Sequence, residues 1–194
     1  MVTLLSDRWD PQWDERFTQE GFFYGKEPND FLRENFTVFS PKGKILCLAE
    51  GEGRNAVFLA GKGFEVTAMD GSGGGSKKTH HLAQEKNVTV TTEAGDLVDY
   101  QMGEEKWDGI VSIWCHLPKT IWKAMLLRVT QALKPGGIFL LESYTPQQIG
   151  LGTGGPSNED WMATIEELKA VFTSFTLLHA KELKREIHEG KAHN

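Results

Sequence analysis

Residues 44–70 constrain the fold more than any other part of the chain, because they place a glycine-rich turn between two short apolar runs. Residues 45–49 form an apolar run that is typical of a strand buried on both faces. Gly51 and Gly53 follow, where the backbone must turn sharply or let a ligand approach closely. Apolar residues then recur at helical spacing over residues 54–61. The predicted order is strand, turn and helix.

A second strand is predicted over residues 64–69, and it is followed by an acidic residue, Asp70. A glycine turn after one strand and an acid after the next are typical of a nucleotide-cofactor site. The glycines admit a ligand beside the helix N-terminus, and the carboxylate can accept hydrogen bonds from two ribose hydroxyls. Residues 44–70 therefore indicate a cofactor of this kind without distinguishing one nucleotide from another.

The rest of the chain continues the alternation of strands and helices. Strands are predicted over residues 88–92, 107–114, 138–142 and 175–187, and helices over residues 76–86, 120–133 and 159–172. The glycine run at 73–75 is a poor helix former, so the helix after Asp70 is predicted to begin late, near Ser76. The alternation predicts an α/β fold with a Rossmann-like, mainly parallel sheet and helices on both faces.

Residues 1–43 precede the first strand and are rich in aromatic side chains. Trp9, Trp13 and Phe17 recur every four residues, which predicts one face of a helix that begins near Pro11. This spacing is the clearest regular pattern in the N-terminal segment.

A second helix is predicted from the cap residue Asn29 or Asp30 to about Phe36, after a turn-rich loop that contains Tyr24. Two interpretations of residues 1–43 stay open. The aromatic side chains cover one edge of the core, or the segment forms a helical lid over a cofactor cleft with Tyr24 facing the ligand. An aromatic face suits a cationic ligand in particular.

Ligands of parallel α/β sheets bind at the carboxyl ends of the strands, so the residues that follow the strands are candidate site residues. They are Gly51 and Gly53 after the first strand, Asp70 after the second, Asp96 after the third, and Cys115 and His116 after the fourth. Together these four loops indicate a site more strongly than any one of them alone.

Composition and charge limit the class of protein. The 194 residues predict a single domain over residues 1–194, and the net charge of −6 argues against a nucleic-acid partner. No apolar run is long enough to span a membrane and no signal-peptide pattern is seen, so a cytoplasmic protein is expected. The charged residues between positions 181 and 189 are predicted to form a solvated edge.

Cys47 and Cys115 fall in predicted strands or at their ends, which indicates reduced thiols in the core. No pair of cysteine or histidine residues has metal-ligand spacing, so no metal site is expected.

Four motifs in a fixed order resemble those of a known family. They are GEGRN at 51–55, Asp70 after the second strand, Gly95-Asp96-Leu97, and LKPGG at 133–137. With WDERF at 13–17 and YGKEPNDFL at 24–32, they make residues 9–190 similar to the class I S-adenosylmethionine-dependent methyltransferases. Within that class the chain most resembles the small bacterial group described as tellurite-resistance or thiol methyltransferase-like.

The resemblance implies a role for each matching residue. The implied cofactor-binding residues are Ala49, Glu50, Gly51, Gly53 and Asn55 in the first turn, Asp70, Gly71 and Ser72 near the ribose, Asp96 and Leu97 near the adenine, and Cys115 beside the methionine. The lid interpretation of residues 1–43 adds Tyr24 to this set. Cys47 and Ala49 stand where the family commonly has an acid and a glycine. The family fold also has a seventh, antiparallel strand, and this chain either lacks that strand or places its boundaries differently.

The activity that the resemblance implies is in-line methyl transfer to a small molecule, such as a thiol or a metalloid oxyanion. Such acceptors need no dedicated base, and for an oxygen or nitrogen acceptor His116 is the candidate catalytic residue. Two alternatives stay open. Residues 51–56 also fit the turn of an NAD(P)-binding oxidoreductase, and a catalytically silent cofactor-binding protein would keep the same motifs.

Overall fold

Parallel pairing of short apolar strands organises the computed structural model, which describes residues 12–190. The strands in this part of the chain are β1 (Lys44–Leu48), β2 (Glu65–Asp70), β3 (Thr91–Ala94), β4 (Trp107–Ile113) and β5 (Leu133–Glu142). They form one sheet in the order β3-β2-β1-β4-β5, and every pair is parallel. The predicted α/β, Rossmann-like fold is confirmed.

Helices flank this sheet. In the described residues they are α1 (Gln12–Thr18), α2 (Asp30–Asn35), α3 (Arg54–Gly61), α4 (Gly73–Glu85), α5 (Lys119–Ala132) and α6 (Ile165–Val171). The chain runs outward from β1 to β3 and then returns to β4, which places the topological switch point between β1 and β4. No helix between residues 12 and 190 is long and apolar enough to cross a membrane.

The central strand β1 is buried on both faces. Ile45 and Cys47 belong to a core cluster with α3 and α4, and Leu46 and Leu48 belong to a second cluster with α5. Successive side chains of a strand point to opposite faces, so an uninterrupted apolar run places apolar side chains in both clusters.

The two helices before β1 and the helix after it agree with the sequence prediction. α1 covers Gln12–Thr18 and includes Trp13 and Phe17 of the predicted face, whereas Trp9 and Pro11 lie outside the described residues. α3 covers the predicted residues 54–61. Asn29 caps α2, because its side chain accepts a hydrogen bond from the Leu32 N–H at 3.0 Å.

The predicted late start of α4 is wrong, since α4 begins at Gly73 and not near Ser76. Ser72 caps the helix by accepting from the Gly75 N–H at 3.0 Å. Asp14 of α1 accepts from the Ser72 hydroxyl at 2.6 Å and from a further N–H of the same turn at 3.3 Å. These bonds offset the low helix propensity of the three glycines.

Two strands are displaced from their predicted positions. β3 covers residues 91–94, where residues 88–92 were predicted. β5 begins at Leu133, because the LKPGG segment joins the ladder through the pair Trp107 and Leu133 before an irregularity in the register.

The C-terminal part departs most from the prediction. The helix predicted over residues 159–172 is a 3₁₀ turn at Glu159–Trp161 followed by α6, where Thr164 and Glu167 form a capping box. The strand predicted over residues 175–187 is wrong, because no ladder within the described residues includes this segment. Its Arg185 side chain instead donates to Glu142, the last residue of β5.

Replacing Gly75 with alanine is expected to destabilise the protein, and Gly73→Ala is the matched control in the same helix. A methyl group on Gly75 would lie 2.6 Å from the Gly51 carbonyl oxygen, whereas nothing lies within 4 Å of one on Gly73. Gly75→Ala should lower the free energy of unfolding by about 1–3 kcal/mol. Gly73→Ala should leave it unchanged or raise it by up to about 1 kcal/mol. Urea denaturation measures both, and equal stability of the two variants would contradict the contact between α4 and the turn.

Candidate functional site

The turn between β1 and α3 has a left-handed backbone at three positions. Ala49, Gly51 and Gly53 have φ angles of 49°, 63° and 88°. A positive φ is uncommon for alanine, whereas glycine adopts it without a steric cost. A Cβ atom on Gly51 would also lie 2.9 Å from the Phe17 ring, and one on Gly53 would lie 2.5 Å from the Thr79 hydroxyl. Both glycines are therefore required by conformation and by packing.

Glu50 holds the beginning of α3. Its Oε1 accepts from the N–H groups of Asn55 and Ala56 at 2.8 Å each. The first N–H groups of a helix have no hydrogen-bond partner within the helix, and Glu50 supplies one for these two. Burial raises the pKa of Glu50 to about 7, although these two bonds and the charge of Arg54 oppose the rise. The Asn55 side chain accepts from the Asn29 N–H at 2.9 Å, so it contacts the N-terminal segment.

Asp70 joins the first turn to the second. Its Oδ2 accepts from the Gly51 N–H and its Oδ1 from the Ser72 N–H, both at 2.8 Å. Burial raises the pKa of Asp70, although both hydrogen bonds favour the charged form. Gly71 lies half-buried between Asp70 and Ser72. The structure thus brings the predicted ribose-binding residues together at one edge of the sheet.

Asp96 and Leu97 follow β3 at the same edge. The Asp96 Oδ1 accepts from the Val98 N–H at 2.9 Å, which fixes the shape of the loop. Leu97 is buried, and its carbonyl oxygen accepts from the Arg128 guanidinium of α5. The loop is therefore held to both the sheet and the helix layer.

The two cysteines, Cys47 in β1 and Cys115 after β4, are free and buried, as predicted. Burial raises the pKa of the Cys47 thiol well above its usual value and that of the Cys115 thiol to about 12. Neither thiol is therefore poised to act as a nucleophile at neutral pH. Between residues 12 and 190, no group of three or more His, Cys, Asp or Glu residues could hold a metal ion.

Glu52, in the turn between β1 and α3, binds the N-terminal segment to that turn. Its carboxylate accepts from the N–H groups of Phe23 and Tyr24 at 2.7 and 3.1 Å and forms an ion pair with Lys78 at 2.7 Å. The Tyr24 hydroxyl accepts from Arg16 at 3.2 Å. Aromatic residues of this segment therefore cover the turn, which agrees with both interpretations of residues 1–43.

An aromatic stack follows β4. The Trp114 and Tyr144 ring centroids lie 4.5 Å apart, and those of Tyr144 and the half-buried His116 lie 5.5 Å apart. Trp114 has a φ of 55°, an uncommon conformation for a large side chain. Ala49, directly after β1, also has a positive φ, so a left-handed residue follows each of the two strands at the switch point.

The sequence prediction missed a buried ion pair at this edge. Glu189, predicted to be solvated, is only 6% exposed. Its Oε2 accepts from Arg54 at 2.7 Å and from the Trp114 indole N–H at 3.0 Å, and its Oε1 accepts from the Asn29 side chain at 2.9 Å. The prediction of a solvated edge is therefore wrong for Glu189, because its partners are distant in sequence and no local pattern indicates them.

Arg185 extends this network along the C-terminal segment. It donates to Glu142 Oε1 at 2.6 and 3.2 Å, and Asn29 donates to the other oxygen of Glu142 at 2.7 Å. Asn29 therefore links the carboxylates of Glu142 and Glu189. The C-terminal segment is held to the sheet edge by charged side chains rather than by a strand ladder.

Comparison with known proteins agrees with this geometry. Residues 45–137 match the family model described as a methyltransferase domain. The uncharacterized methyltransferase YbaJ of Bacillus subtilis (strain 168) is 28% identical over 102 residues, which cover 50% of this chain and 38% of that protein.

Two solved structures share the fold at lower identity. TehB from Haemophilus influenzae aligns with a TM-score of 0.69 over 92% of this chain and 59% of its own chain, at 18% identity. A SAM-dependent methyltransferase from Geobacter sulfurreducens, solved in complex with S-adenosyl-L-homocysteine, aligns with a TM-score of 0.57 over 73% and 59%, at 21% identity. This chain thus spans less than two thirds of the length of each of these proteins.

The parallel sheet with its flanking helices is the α/β, Rossmann-like fold of these two solved structures, and the match to the methyltransferase-domain model lies within it. The matched residues begin in β1 and end in β5, so they include the candidate turns after β1, β2 and β3.

Glu50→Gln is expected to change the pH dependence of stability. Folding raises the pKa of Glu50 from 4.5 to about 7, so its contribution to stability is complete below the lower value and is lost as the pH rises through the upper one. Glutamine keeps an acceptor oxygen for the two N–H groups but does not titrate. From about pH 5 to pH 8, the free energy of unfolding of Glu50→Gln should rise by about 2–3 kcal/mol relative to wild type. Urea titrations at several pH values measure this difference.

Glu104→Gln, at an exposed glutamate, is the control, and its stability should follow that of wild type across the same range. A stability difference between wild type and Glu50→Gln that does not vary with pH would contradict the raised pKa of Glu50.

Proposed function

We propose that this chain is an S-adenosylmethionine-dependent methyltransferase that acts on a small molecule. The observation that supports the proposal most is the convergence of the left-handed glycine turn after β1 with acids after β2 and β3 on one sheet edge. The methyltransferase-domain match covers these same loops.

The chemistry of the donor set fits this cofactor. A carboxylate has about four acceptor positions, so Asp70 can bind two ribose hydroxyls while it keeps its bonds to Gly51 and Ser72. Asp96, beside the Leu97 backbone, is the acceptor for the adenine amino group. The turn from Ala49 to Gly53 and the backbone of Cys115 would hold the methionine end, with Tyr24 on the N-terminal side.

S-adenosylmethionine supplies a methyl group on a sulfonium, so the carbon is already activated toward a nucleophile. The residues of this chain then have to align the acceptor and exclude water. Phe17 and Tyr24, which pack over and beside the turn, are suited to the second task. This role makes the described part of the N-terminal segment, residues 12–43, a lid, which is the second of the two interpretations.

The motif resemblance to the tellurite-resistance or thiol methyltransferase-like group supports a thiolate or metalloid oxyanion as the acceptor. Such an acceptor carries its own electron pair and needs no base. For an oxygen or nitrogen acceptor, His116 is the candidate base, because it lies half-buried in the stack that follows β4.

Calorimetric titration with S-adenosylmethionine, S-adenosylhomocysteine and NAD tests the proposal. The first two should bind and NAD should not. Asp96→Ala should weaken S-adenosylmethionine binding by about 1–3 kcal/mol, because a buried amino group would lose its acceptor. Asp99→Ala removes an exposed carboxylate from the same loop and should leave the affinity unchanged.

NAD binding without S-adenosylmethionine binding would support an oxidoreductase and overturn the proposal. Cofactor binding without turnover across thiol, metalloid, oxygen and nitrogen acceptors would support a silent binding protein.

A further inference from the structure

Three donors from separate parts of the chain converge on one carboxylate at the switch point. Arg54, Asn29 and Trp114 donate to Glu189 at 2.7–3.0 Å. Arg54 is 7% exposed and Asn29 is fully buried, so both of these donors belong to the interior of the fold and not to its exposed surface. A guanidinium, an amide and an indole N–H around a carboxylate form a site for an anion.

The site lies beside the turn that the proposed function assigns to the methionine end of the cofactor. Arg54 is the first residue of α3, directly after the turn assigned to the methionine end, and Trp114 follows β4. These two residues thus stand on opposite sides of the switch point, the place where α/β sheets bind ligands. Arg54 and Glu189, together with Tyr24, also line a cleft of about 320 Å³.

The segment that carries Glu189 is held to the protein at few points. Most side chains from residue 173 to residue 190 are exposed, including Leu178 at 68%. Apart from Glu189, Arg185 donates to Glu142, and Glu182 accepts from the Ile165 N–H at 3.0 Å. Gly190 lies against the backbone of residues 23–25, where a Cβ atom would approach Tyr24 to 2.4 Å. A segment with so few buried contacts opens at a lower free-energy cost than the sheet beneath it.

A group that replaces Glu189 must itself be anionic. Removing one partner of a buried ion pair leaves an uncompensated charge, which costs several kcal/mol, so Arg54 cannot be left beside a neutral ligand without a large penalty. The same requirement excludes cationic acceptors from this position.

We propose that Arg54, Asn29 and Trp114 bind the anionic group of the methyl acceptor, a small carboxylate or oxyanion, and that Glu189 fills this site until the acceptor replaces it. The assignment of the ligand as the acceptor rests on the proposed methyltransferase function, whereas the anion site itself does not. The C-terminal segment then acts as a built-in competitor that keeps the acceptor site closed and dry.

Calorimetric titration of benzoate and of inorganic phosphate, without S-adenosylmethionine, tests the anion site. Benzoate pairs a carboxylate with a ring that can pack on the stack after β4, and phosphate represents tetrahedral oxyanions. Glu189→Ala should bind one of them at least about tenfold more tightly than wild type, because a tethered competitor acts at an effective concentration in the millimolar range. The anion that gains affinity identifies the ligand class.

Glu186→Ala is the matched control, since the Glu186 side chain is 94% exposed on the same segment, and it should bind both anions as wild type does. Adding Arg54→Leu to Glu189→Ala should abolish the gain. Glu189→Gln keeps the shape of the side chain without its charge, and it should show the gain if Glu189→Ala does not fold.

No gain in either Glu189 variant, or a gain that survives Arg54→Leu, would overturn the proposal. Anion binding in Glu189→Ala together with no S-adenosylmethionine binding would refute the methyltransferase proposal and leave the anion site standing. S-adenosylmethionine binding in Glu189→Ala together with no gain in anion affinity would refute the anion site alone.

Discussion

The hydrogen bonds of the Asp70 carboxylate are the constraint on which the site depends. By accepting from Gly51 and Ser72, Asp70 fixes the turns after β1 and β2 relative to each other. The N-terminal segment then packs on this joined surface, because Phe17 contacts Gly51 and Asp14 binds Ser72. A buried carboxylate with charge-assisted hydrogen bonds is well suited to this task, since the geometry of two backbone donors leaves it little freedom.

The fold and half of the site follow from local sequence signals. Uninterrupted apolar runs such as residues 45–49 specify strands buried on both faces, and glycines at 51 and 53 specify a left-handed turn. Alternation with helices then specifies parallel pairing, which places Asp70 and Asp96 on one edge. Each of these steps uses residues that are close in sequence, and for this reason the prediction agrees with the structure there.

The missed features depend on contacts between distant residues. The three glycines of α4 form a helical turn only because Asp14, 58 positions away from Ser72, supports the cap. Glu189 is buried beside partners that are distant in sequence, such as Arg54, which lies 135 positions earlier in the chain. A charged run such as residues 181–189 has the composition of a solvated edge, and only the folded chain shows that Arg185 and Glu189 bind the sheet edge.

A crystal structure of the protein with S-adenosylhomocysteine is the most direct test of the account. We expect the ribose hydroxyls to lie within hydrogen-bond distance of the Asp70 carboxylate, with the adenine amino group beside Asp96 and the homocysteine along the turn from Ala49 to Gly53. A ligand bound elsewhere, or a ribose that does not contact Asp70, would contradict it.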